Sequence, residues 1–175
     1  GGSAPQGRRV VVAVGRHVMG AKVTIAVGEP AVRARLWDKI AALGLTPATA
    51  VSPDAFVSTH SRIAEGSIVA PFASIQATAV IGRNVAINTA SIIGHDVVLE
   101  DHCVVSSMVN LGGAAQVGAL GYIGMGALIK EKLKIGRASI VGMGSVVHAD
   151  VPDEVIALGN PARVVRRNED MKVFK

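Results

Sequence analysis

Aromatic residues are nearly missing from this chain: three Phe, one Tyr and one Trp stand among 175 residues. Half of the residues are nevertheless hydrophobic, and Gly is abundant at 20. The core must therefore be filled by Val, Ile and Ala. Repetitive β architectures with narrow interiors have this profile, because stacked short strands admit branched aliphatics and leave no room for rings. The same scarcity argues against nucleic acid. A net charge of +5 would allow such a partner, but that reading requires clustered Lys and Arg interleaved with aromatics. A small polyphosphorylated molecule suits the charge equally well.

Cysteine is almost absent too. Cys103 alone excludes an internal disulfide framework and fits a reducing compartment, so a cytoplasmic location is expected. No apolar run reaches the roughly 18 residues of a membrane-spanning helix, and GGSAPQGRR at the start carries no apolar segment of signal-peptide type. No membrane partner is expected. The length fits one domain, or one domain with a small appendage.

What the sequence does have is a period of six. From Val57, each sixth residue is aliphatic: Ile63, Val69, Ile75, Ile81 and onward through Ile93, Leu111 and Ile129 to Val147. The register does not slip between 57 and 147. The next slot is Gly at 82, 94, 112, 118, 124, 136 and 142, and the slot four after the aliphatic is small, as at Ser67, Ala79, Ser91 and Cys103. Large and small interior positions thus alternate between turns, the pattern of a hexapeptide β-helix. Three hexapeptides make one triangular coil of eighteen residues, so residues eighteen apart stack at roughly 4.8 Å. With no long loop leaving the coil, a site must be built from the coil surface, a neighbouring subunit or the flanks.

The flanks are short. RRVVVAV and KVTIAVG read as strands. EPAVRARLWDKIAALG reads as a helix with Pro30 in the first turn, Val32, Leu36, Ile40 and Leu43 on one face, and Gly44 at the C-terminal cap. Residues 1–52 are therefore expected to form a reduced α/β cap, 53–150 the β-helix, and 151–175 a C-terminal cap and basic tail.

Three features carry a family resemblance: the hexapeptide coil, NTASIIGHDVVLED with Asn88, His95 and Asp96, and VPDEVIALGNPAR after the coil. Over roughly residues 23–167 the chain resembles the hexapeptide-repeat bacterial sugar acetyltransferases. These include the sialic acid O-acetyltransferases and the nucleotide-amino-sugar N-acetyltransferases of bacillosamine-type pathways. The resemblance implies a left-handed β-helix, since the period alone does not set the hand. It also implies a homotrimer that binds acetyl-coenzyme A between neighbouring coils. His95 would be the general base, Asp96 its support, and a sugar amine or hydroxyl the acceptor.

Chemistry agrees with those roles. An attacking amine must lose its proton, and histidine, with an ordinary pKa of about 6.5, is suited to take it. A neighbouring carboxylate can hold the ring in one tautomer. Eighteen residues past His95 stands Gly113, whose bare backbone N–H is the oxyanion candidate. Asn88 and His17 are candidate acceptor contacts. Candidate cofactor contacts are Gly113, Gly124, Gly142, His102, Val104, Lys130 and Arg163, the glycines for close approach of a pantetheine arm and the cations for phosphates.

Two departures from the family stand out. Val104 occupies the place where many members carry a second histidine, with His102 two residues earlier. AVGRHVMGA is not a G-x-G-x-x-G turn followed by a helix, so the nucleotide-binding part is expected to be cut down. The rival readings are a degenerate, non-catalytic scaffold and an acyltransferase acting on an amino acid such as serine. A zinc-dependent carbonic anhydrase on the same coil is disfavoured by the spacing of histidines 17, 60, 95, 102 and 148, and no metal is expected.

Overall fold

The structure is a computed structural model, and it describes residues 22–174. His17 and the strand expected over RRVVVAV lie outside the described residues. From residue 50 onward the chain winds into a left-handed parallel β-helix of about six turns, built from two-residue strands on three faces.

The first face stacks Phe56–Val57, Ser74–Ile75, Ile92–Ile93, Asn110–Leu111, Leu128–Ile129 and Val146–Val147. The second stacks Arg62–Ile63, Val80–Ile81, Val98–Leu99, Gln116–Val117 and Lys134–Ile135. The third runs from Ala50–Val51 through Val104–Val105 to Ile140–Val141 and Val155–Gly159, and is closed by the antiparallel strand Ala162–Arg167. The register is eighteen: Ile93 pairs with Ile75 below and Leu111 above.

Each six-residue step turns one aliphatic inward. Ile75, Ile81, Ile87, Ile93, Leu111 and Ile123 are all 1% exposed or less, and each such burial contributes about 1.5–3 kcal/mol. The coil core holds no aromatic ring, as the composition requires. The small slots carry buried serines whose hydroxyls answer the turn backbone: Ser67 donates to the Gly82 carbonyl and accepts from the Val85 N–H.

The limits of the coil differ from the expected ones at both ends. Ala50–Val51 already pairs with Ile68–Val69, so the solenoid starts a few residues before residue 53. Past Val147 the period breaks, and the last coil is two residues short: Ile135 bridges Val151 and Val141 pairs with Ala157. Pro152 lies in this shortened turn.

The appendage roofs the third face. The strand Lys22–Val23 pairs with Thr46–Pro47, and the helix spans Pro30–Ala42. Pro30 opens it, where its missing N–H costs nothing. Gly44, at φ +64°, follows its C-cap Leu43. Gly44 donates to Ala41 and Leu45 to Ile40, the paired bonds of a Schellman motif.

The helix is rotated from the stripe its apolar spacing predicts: Ile40 is buried as expected, with Val32 and Leu36 half-buried. Leu43 is 42% exposed, whereas Arg33 is fully buried. The Arg33 guanidinium donates to the carbonyls of Ile25, Val27 and Asn84 and to the Asn84 side-chain oxygen. Burial alone lowers its pKa to about 10, so it stays charged and clamps the helix to the coil through neutral acceptors. Trp37 fills the space left by Gly66, where a Cβ would meet the ring at 2.3 Å, and its ring meets His102 edge-on at 6.1 Å.

His102 is thus part of this joint, with Asn84 Nδ2 2.9 Å from its Nδ1. Desolvation against the helix is the main cause that holds its pKa below the usual histidine value. The folded state therefore binds this proton less readily than the unfolded state, and stability rises with pH across the histidine range. The melting temperature is expected to fall as the pH drops from about 7 to about 5, and His102→Gln to flatten that slope in thermal melts. A wild-type slope that the substitution leaves unchanged would show that other groups control it.

Candidate active site

The corner between the first and second faces carries the chemistry. Its turns stack in one column: Ala77–Thr78, His95–Asp96, Gly113–Ala114 and Glu131–Lys132. Backbone bonds tie each level to the next, from Asp96 N–H to the Ala77 carbonyl, from Ala114 N–H to the His95 carbonyl, and from Lys132 N–H to the Gly113 carbonyl.

In an ideal strand, consecutive side chains point to opposite faces. Asp96 escapes that rule because it takes the left-handed conformation at the corner, φ +59°. Its Oδ2 then lies 2.8 Å from His95 Nδ1. The Thr78 hydroxyl, one coil below, donates to Asp96 Oδ1 at 2.6 Å. First this hydroxyl, and then the His95 ring, hold the Asp96 carboxyl below its ordinary pKa. The carboxylate is thus ionised at neutral pH and can accept from Nδ1–H, which leaves Nε2 with the free lone pair.

Nε2 lies against Gly113. A Cβ built on Gly113 would stand 2.4 Å from Nε2 and 2.6 Å from Cε1. The Gly113 N–H has no acceptor among the described residues. At the next corner the matching amides are answered by carboxylates: Arg83 N–H by Asp101, Ala119 N–H by Glu100 and Arg137 N–H by Asp153. This amide geometry therefore suits an anionic oxygen, and at Gly113, beside the imidazole, the position is open. A base and an oxyanion donor a few ångströms apart form the minimal equipment for acyl transfer.

The site is open to water. The His95 and Asp96 side chains are 69% and 57% exposed. A shallow groove on the second face is lined by Val80, Gly82, Val98, Glu100, Asp101 and Ala119. Among the described residues no group of His, Cys, Asp and Glu could hold a metal ion, and no helix is long and apolar enough to cross a membrane.

The remaining candidates are spread over the coil. Lys130 is exposed on the His95 corner, two coils on. Asn88, Gly124 and Gly142 line the other edge of the first face, so within one chain Asn88 does not meet His95. Side chains on two of these glycines would collide with packing partners, Gly124 with Met143 N at 2.5 Å and Gly142 with the Leu158 side chain at 2.0 Å, so close packing by itself accounts for them. Arg163 is exposed on the last strand. His102 stands on the opposite edge of the second face. Val104 is 1% exposed under the appendage, which leaves a ligand no side-chain surface to touch. Cys103 is buried, its thiol pushed up to about 12 by desolvation, so it is no nucleophile. Thr78 escaped the reading of the sequence, although the eighteen-residue period alone places it under Asp96.

No family model matches the sequence. Individual proteins do. GDP-perosamine N-acetyltransferase of Escherichia coli O157:H7 is 33% identical over 150 residues, 82% of this chain and 67% of that protein. A point mutant of perosamine N-acetyltransferase of Caulobacter crescentus, solved in complex with CoA and GDP-perosamine, superposes with a TM-score of 0.81 at 33% identity, over 83% of this chain and 69% of that one. The acetyltransferase domain of PglB from Neisseria gonorrhoeae gives 0.81 at 33% identity, over 82% and 70%. It has also been solved in complex with acetyl coenzyme A. WeeI from Acinetobacter baumannii gives 0.83 at 31% identity, over 86% and 74%. With a relative 33% identical over 82% of this chain and 67% of its own length, the chain belongs to the hexapeptide-repeat sugar acetyltransferases.

Proposed function

We propose that this protein transfers an acetyl group from acetyl-CoA to the amine or hydroxyl of a sugar, with a nucleotide-linked amino sugar as the foremost acceptor. The observation that carries this reading is the His95–Asp96 pair standing over Gly113, whose amide is free. Acetyl-CoA supplies the thioester. His95 Nε2 takes the proton of the acceptor as its nitrogen or oxygen attacks the thioester carbonyl carbon. Asp96 holds the opposite ring nitrogen and stabilises the imidazolium that forms. The Gly113 N–H receives the developing oxyanion. As the C–S bond breaks, the imidazolium can return the proton to the departing sulfur, which closes the cycle.

Two further features support self-association, and with it the homotrimer that the family resemblance implies. A base so open to water needs a second wall to exclude it. The first face, which ends at the His95 corner, is apolar and unpartnered: Phe56, Ile92 and Leu128 project from it, and Phe72, Met108 and Met143 project along its other edge. An exposed apolar face of this kind marks an interface. Packing there would enclose His95 and bring the Asn88 edge of one copy towards a neighbour's site. Lys130 and Arg163 would then be the cations for the coenzyme's phosphates. We place the reaction in the cytoplasm, in keeping with Cys103 as the single cysteine of the sequence.

The test is thiol release from acetyl-CoA with a panel of nucleotide-linked amino sugars, free amino sugars, hydroxy sugars and serine. Turnover restricted to sugar acceptors supports the reading. Serine as the preferred acceptor would replace the sugar, and a lack of both turnover and coenzyme A binding by calorimetry would leave a scaffold.

A further inference from the structure

Thr78 has two properties that the coil does not require. Its hydroxyl donates to Asp96 Oδ1 at 2.6 Å, across one full coil. It also occupies the left-handed conformation at φ +61°, which a β-branched side chain adopts at a steric cost. Among the described residues, thirteen non-glycine residues take this conformation, and Thr78 is the only β-branched one of them. The lattice accepts Ala, Asn, Asp, His, Met, Leu, Lys or Phe in that slot and carries a threonine directly beneath Asp96. Strain of this kind is retained where the surrounding chemistry uses it.

The hydroxyl has one proton and two acceptors within reach, the carboxylate and the Ala77 carbonyl. That carbonyl already receives the Asp96 N–H, and a charged acceptor makes the stronger bond. The proton therefore goes to Oδ1. With Oδ1 held, the carboxylate cannot rotate freely, and Oδ2 stays on His95 Nδ1 at 2.8 Å. We infer that Thr78 is a positioning residue that holds the Asp96 carboxylate in place, and through it fixes His95 in the Nδ1–H tautomer with Nε2 over Gly113. This deepens the proposed function, on which its kinetic consequence rests.

The experiment compares Thr78→Val, which keeps the branched shape and removes the hydroxyl, with Thr78→Ser, which keeps the hydroxyl. Each is made in the wild type and in an Asp96→Ala background. Nitrogen NMR of the His95 ring at about pH 8.5, above the ordinary histidine range, reads the tautomer directly. Thr78→Val is expected to lower the Nδ1–H population and to reduce kcat/KM about threefold to tenfold, the usual worth of one such hydrogen bond. Thr78→Ser is expected to retain both. In the Asp96→Ala background Thr78→Val should change neither, because the group it acts through is gone. The inference is overturned if the tautomer does not respond to Thr78→Val, or if the activity loss persists without Asp96. The NMR arm does not depend on His95 being the base: a His95→Ala protein with full turnover would refute the base while leaving the tautomer measurement to decide the role of Thr78.

Discussion

Replacing His95 with alanine is expected to lower kcat by a factor on the order of 10²–10⁴, the range over which a positioned general base contributes. The protein should otherwise be unchanged. The side chain is 69% exposed and contributes nothing to the coil interior, so the melting temperature should stay within experimental scatter. Acetyl-CoA affinity, measured by calorimetry, should also hold. The loss belongs in kcat and kcat/KM together, because the proton moves only in the transition state. Thiol release under saturating substrates checks this, and a His95→Ala protein with wild-type kcat would show that another group takes the proton. The small residual rate expected comes from the Gly113 amide and from holding the two substrates together.

Gly113→Ala should cost nearly as much, for a different reason. The glycine backbone is not in the left-handed region, so an alanine there is not strained in itself. The obstacle is the His95 ring, with Nε2 2.4 Å and Cε1 2.6 Å from the new Cβ. That ring is solvent-exposed and can swing away at the cost of its Asp96 hydrogen bond, so the fold yields cheaply while the base is driven off its position. A displacement of about 1 Å in a catalytic group can cost on the order of 10² in rate, and the methyl also crowds the amide offered to the oxyanion. We expect kcat to fall on the order of 10²–10³ with little change in melting temperature. Gly112 is the internal comparison. A Cβ there meets backbone, Glu131 N at 2.5 Å and Glu131 Cα at 2.9 Å, which cannot swing aside. Gly112→Ala should therefore lower the melting temperature visibly. If Gly113→Ala left kcat intact, the close approach of His95 to this glycine would have no part in the reaction.

The sequence carried a large share of this by itself. The six-residue recurrence of aliphatics specifies a triangular solenoid because only that shape turns each sixth side chain inward, and the same period places Gly113 over His95 without coordinates. Arithmetic in steps of eighteen would also have found Thr78 below Asp96. The helix was readable from Pro30 and Gly44, since both report backbone conformations. The hexapeptide pattern also puts His95 two residues past the inward Ile93, in a slot outside the core.

Tertiary structure decided what depends on side-chain direction and on contacts far apart in the chain. That His95 and Asp96 meet depends on one left-handed dihedral at Asp96, which strand alternation does not predict. Which stripe of the helix faces inward was settled by the supply of acceptors: carbonyls at Ile25, Val27 and Asn84 can satisfy a buried guanidinium, so Arg33 goes in and Leu43 stays out. His102 and Val104 sit beside His95 in sequence, yet one lies at the far corner of the second face and the other beneath the appendage, because each six-residue step turns the chain to a new face. Spacing along the chain set the height of each residue in the coil and the corner it occupies. Which side chains met there, and what covered them, came from packing.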